Sequence, residues 1–160
     1  MDPLLNGDEE EKSPSKLYHQ AIWFFTHTAL ALGSWLALMM VGYAFNPPGV
    51  SQLLILILSI TVPLLAGFAL TRVRQDEMAA LVWLAGLIWL LIMSLWILDM
   101  PTGPNACFHC DATEKLTRTF VSLPKPSGLI DDDGPFLGTW PAAALAGYSI
   151  GARLAMKPKK

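Results

Sequence analysis

The chain has 160 residues and a formal net charge of −2, with charged side chains at 15% of positions against 53% hydrophobic ones. Mean hydropathy is +0.44, high for a water-soluble domain of this size, which must show water a polar surface. The expected partners are therefore the lipid bilayer and other membrane proteins, with no nucleic acid.

Residues 1–16 form a polar tail with proline, serine and an acidic run, Asp8-Glu9-Glu10-Glu11, that cannot bury a core. A disordered, cytoplasmic tail is expected there. Four apolar runs follow, and a span of about 30 Å of hydrocarbon needs about 20 such residues. The first run covers residues 21–45 and contains no Asp, Glu, Lys or Arg. Ala29-Leu30-Ala31 has the small-x-small look of a signal-peptide cleavage site. The long acidic region before it and the continuation of the apolar run for 14 residues after it favour an uncleaved span. Asn46-Pro47-Pro48-Gly49 stops the run, because proline cannot continue a helix and glycine permits a tight turn. The second run covers residues 53–70 and should kink at Pro63, near Gly67. The third covers residues 78–98, with Asp76 and Glu77 at its positive end. The fourth covers residues 139–156, with Thr139 expected as the N-cap and Pro141 in the first turn.

Eight of the eleven basic residues (Lys12, Lys16, Arg72, Arg74, Arg153, Lys157, Lys159, Lys160) fall on one side if all four runs span. Only Lys115, Arg118 and Lys125 fall on the other, in the loop formed by residues 99–138. The bias puts both termini in the cytoplasm, including the basic tail at residues 158–160, and the loop on the exoplasmic side of a plasma (inner) membrane. Small residues at four-residue steps let helix backbones approach. Ala143, Gly147, Gly151 and Ala155 form one such stripe, and Ala29, Gly33 and Ala37 another, each expected to press on a neighbouring helix.

Inside a span, ionisable side chains are costly and often functional. His27 is the one expected there, either bonded to Thr26, Thr28 or a carbonyl, or serving as a quinone-binding group. It cannot share a haem with His19, which lies on the same helix about 12 Å away by helical rise. In the loop, Asp111-Ala112-Thr113-Glu114 has capping-box spacing. Leu116, Phe120 and Leu123 share one face of the following segment, opposite Lys115, Arg118 and Ser122. A short amphipathic helix at residues 112–123, lying on the membrane surface, is expected.

Cys107-Phe108-His109-Cys110 is the chain's one candidate for chemistry, and Cys107 and Cys110 are its only cysteines. An oxidising compartment favours a Cys107–Cys110 disulfide. The small ring it closes gives limited entropic stabilisation and an easily reduced bond, so redox activity assisted by His109 competes with a structural role. Zinc held by Cys107, Cys110 and Asp111 would need a further ligand. The arrangement of four helices, cytoplasmic ends and a cysteine-bearing exoplasmic loop resembles quinone-linked disulfide-forming membrane enzymes. Those enzymes use a second cysteine pair, and Asn46-Pro47-Pro48-Gly49 carries none, so the likeness stops at architecture.

The expected fold is an all-α integral membrane protein, a four-helix up-down transmembrane bundle with a short interfacial helix between helices three and four. The expected function is an accessory or scaffold protein without a catalytic set or cofactor. The competing classes are a thiol-redox membrane protein, quinone-linked through His27, and a small transporter.

Overall fold

The computed structural model describes residues 14–45, 52–99, 111–121 and 138–156. They form helices α1 (Pro14–Phe45), α2 (Gln52–Val73), a 3-10 helix (Glu77–Leu81), α3 (Trp83–Asp99), α4 (Ala112–Phe120) and α5 (Thr139–Ala155), with no strand among the described residues. Three stretches are long and apolar enough to cross a membrane: Lys16–Gly42, Leu53–Val73 and Glu77–Asp99. Helix α5 has 17 residues. That is about 25 Å of helical rise, short of a hydrocarbon core of about 30 Å.

Helix α1 starts before the apolar run, because a proline fits a first turn and the polar residues after it have no need to be buried. Its inner face carries His27, Ala31 and Trp35 at four-residue steps. Trp35 donates its indole N–H to Ser59 Oγ on α2 at 3.2 Å, and His27 lies beside Asp76 just past the end of α2. The two helices therefore run antiparallel. Helix α2 continues through Pro63, which is fully buried.

Helix α5 is the centre of the fold. His27 meets Tyr148, while Trp35 clusters with Trp140 and Ala144, so α1 is antiparallel to α5. The Trp83 amide donates to Ser149 Oγ at 2.7 Å and Gly86 approaches Ala142 and Leu145, so α3 is antiparallel to it as well. Gly147 abuts the Ile60 carbonyl and Gly151 the Leu64 carbonyl, so α2 and α5 run parallel. The glycines permit this approach: a Cβ at Gly67, Gly147 or Gly151 would overlap the backbone opposite.

Four local expectations change. Thr139 does not cap α5. Gly138 takes that position, and the Thr139 hydroxyl donates to the Phe120 carbonyl at 2.6 Å, tying α4 to the start of α5. The third run opens as a 3-10 helix because Asp76 accepts from the Met78 amide at 2.9 Å and tightens the first turn. Ala29, Gly33 and Ala37, expected to press on a neighbour, are exposed, and a Cβ at Gly33 would meet nothing within 4 Å. They sit two residues after His27, Ala31 and Trp35, about 200° around the helix, so the polar partners of His27 and Trp35 turn the small stripe outward. Helix α4 ends at Phe120, short of residue 123.

Candidate functional site

A polar cluster forms where α1, the connection after α2, and α5 meet. Buried polar side chains are hydrogen-bonded as a rule, and a buried tyrosine hydroxyl seeks a partner. Tyr148 is fully buried on a helix of small residues, and its hydroxyl lies 2.8 Å from His27 Nδ1. This replaces the expected partners of His27: the Thr26 and Thr28 hydroxyls bond back to the Ile22 and Phe24 carbonyls. His27 Nε2 is buried with no hydrogen-bond partner and points toward Asp76, 3.7 Å from Oδ2. That separation is too long for a hydrogen bond and close enough for an ion pair when the imidazole is protonated.

Asp76 joins this interior pair to a surface cleft of ≈ 290 Å³ between the first turns of α1 and the Arg74–Met78 segment. Trp23 forms one wall. Its indole N–H donates to His19 Nε2 at 2.9 Å, and the Arg74 guanidinium stacks on its ring at 3.8 Å. Trp23 also contacts the His27 ring, 6.1 Å away between centroids. Arg74 and Asp76 thus place opposite charges in one cleft, with Gln20 and Gln75 among the lining groups.

A second cleft of ≈ 260 Å³ lies between α3 and α5, lined by Trp83, Ala146, Ser149, Ile150 and Arg153. It is mainly apolar.

The loop candidates are only partly in view. Cys107, His109 and Cys110 lie outside the described residues. Asp111 is the N-cap of α4: its Oδ1 accepts from the Glu114 amide at 2.7 Å. Among the described residues no cluster of three His, Cys, Asp or Glu side chains has metal-site geometry. Of the small-residue stripes, Gly147 and Gly151 meet α2, Ala155 is buried, Ala143 is half-buried, and the α1 stripe faces outward.

His27 is visible in the sequence as the one histidine inside an apolar run, whereas nothing in the sequence marks Tyr148, Asp76, Arg74 and Trp23 as its neighbours. The available signal was Tyr148 itself, a phenol among alanines and glycines, which needs a partner when buried. Comparison with known proteins finds no matching protein family, no matching curated protein and no matching solved structure.

Proposed function

We propose that the chain is a multi-pass protein of the plasma (inner) membrane, a four-helix up-down bundle with cytoplasmic termini, acting as an accessory or scaffold subunit. Residues 99–138 form its exoplasmic cap, with α4 at the membrane surface and a Cys107–Cys110 disulfide pinning the loop. One observation carries the reading: the alanine- and glycine-rich α5 is enclosed while the leucine-rich faces of α2 and α3 are bare. Packing of small residues holds helices together in lipid, where apolar side chains need no burial. The alternation of direction among α1, α2, α3 and α5 is that of an up-down arrangement.

In the quinone-linked thiol-redox alternative His27 would be the quinone-binding group. Its ring faces Tyr148 and Asp76. It meets α5 nine residues past Thr139, about 14 Å along the helix from the contact that holds α4.

The test is alkylation of the two native cysteines in sealed, right-side-out and inverted membranes, with and without reductant, followed by purification in mild detergent. The expected result is labelling from the exoplasmic side only, after reduction only, with stoichiometric copurification of another membrane protein. Labelling from the cytoplasmic side, or a monomer recovered without detergent, overturns the reading.

A further inference from the structure

The cleft at the cytoplasmic ends of the spans combines three features: a fixed cation, a fixed carboxylate and a position where the chain passes from apolar to polar. It lies between the first turns of α1 and residues 74–78, at the level where the apolar runs give way to charges. Arg74 is held by its stack on Trp23. Asp76 is held by the bond from the Met78 amide to Oδ1, which leaves Oδ2 on the side of His27.

We propose that this cleft binds the headgroup of a zwitterionic phospholipid bearing a primary amine, that is, a phosphoethanolamine lipid. The inference rests on the membrane reading and goes beyond it by naming the lipid class. A guanidinium matches a phosphodiester oxygen pair. A primary ammonium supplies hydrogen-bond donors for the Asp76 carboxylate. A purely anionic headgroup would meet Arg74 and also the acidic side chains of Asp76 and Glu77, which repel it. A choline headgroup needs open aromatic faces around its quaternary nitrogen. Trp23, the indole lining the cleft, already carries Arg74 over its ring and lies in ring contact with His27 and His19. The ≈ 290 Å³ of the cleft is of the size that small-molecule groups occupy.

Native mass spectrometry of the full chain tests this, with release from micelles holding equimolar ethanolamine, choline and glycerol phospholipids of identical acyl chains. The wild-type chain should retain the ethanolamine lipid roughly tenfold over the other two (about 1.4 kcal/mol). Arg74→Gln and Asp76→Asn should each reduce that preference at least about fivefold; asparagine can still cap the 3-10 helix, so the fold persists. Arg72→Gln, which removes a cation that stacks on Phe68 outside the cleft, should leave the preference unchanged.

A series of mono-, di- and trimethylated ethanolamine lipids on the wild-type chain needs no variant, and retention should fall at each methyl. Water-soluble phosphoethanolamine at millimolar concentration should not displace the lipid. Equal retention of all three lipids, a preference for the glycerol lipid, insensitivity to methylation, displacement by the soluble headgroup, or variants that bind like wild type each overturn the proposal. Cytoplasmic labelling of the cysteines would instead overturn the topology and leave the headgroup preference readable.

Discussion

Helices α3 and α5 have the same length, 17 residues, and opposite surroundings. Thirteen of the 17 residues of helix α3 are Leu, Ile, Trp or Met, yet only Gly86, Met93 and Ile97 are buried. Helix α5 has eight alanines and glycines, an arginine, a serine and a tyrosine, and eleven of its residues are buried. A water-soluble fold would reverse that assignment, since burying large apolar side chains is its main driving force. With hydrocarbon outside, leucine gains nothing from moving inward. The interior then goes to the helix that can be approached most closely and that offers polar groups to pair.

The most severe test of this contrast is a charge on the bare face of α3. Leu91 lies at the middle of the helix and is exposed. If lipid covers it, Leu91→Arg costs about 3 kcal/mol of insertion free energy, and a membrane-integration assay should show a large loss of inserted protein. If water covers it, the same change is close to neutral.

On the enclosed helix the corresponding lesion is Gly151→Ala. Its Cβ would overlap the Leu64 carbonyl and crowd the Phe68 amide, and backbone cannot step aside as a side chain can. Overpacking of this kind costs about 2–3 kcal/mol, read as a lower midpoint of unfolding in mixed micelles. Gly147→Ala, against the Ile60 carbonyl, should behave alike.

Tyr148→Phe ranks next. It removes the hydroxyl from His27 Nδ1 and leaves both ring nitrogens of a buried imidazole without a hydrogen bond. An unpaired buried polar atom costs about 1–3 kcal/mol, and hydrogen bonds between membrane helices fall at the low end, so about 1–2 kcal/mol is expected. A double-mutant cycle with His27→Leu should recover most of that loss as coupling. Additive effects would mean that the pair does not form.

The long apolar runs and the cap at Asp111 were legible because each is a local property, a stretch of hydropathy or a spacing of three. The assignment of faces was not. Ala29-Gly33-Ala37 and Ala143-Gly147-Gly151-Ala155 carry the same pattern, and nothing local to either stripe says which one meets a helix. What decides it is the pairing of His27 with Tyr148, 121 residues away, and of Trp35 with Ser59. Such pairs belong to the tertiary fold, and one sequence shows neither partner as the other's. In the sequence Asp76 is only a charge at a helix's positive end for the same reason: its place beside His27 exists only once α2 has turned back along α1.

A smaller effect is expected at the joint between the two contrasted helices. Ser149 accepts from the Trp83 amide, one of the first-turn donors of α3 that have no partner within their own helix. Ser149→Ala should therefore cost about 1 kcal/mol and speed hydrogen exchange at the start of α3 while leaving the α2–α5 contact protected. A uniform loss of protection would mean that the helices separate as one unit.

The smallest effect should come from Gly33→Ala, and its smallness is what makes it informative. A Cβ there meets nothing within 4 Å, so no packing is lost, and replacing glycine inside a helix removes a penalty of up to about 1 kcal/mol. The unfolding midpoint should stay level or rise slightly. Gly33 and Gly151 have the same residue type and the same small neighbours at four-residue steps, so sequence alone gives them the same sensitivity. A clear destabilisation by Gly33→Ala would bring a neighbour onto the outer face of α1 and remove the asymmetry between enclosed and bare surfaces on which the lipid reading rests.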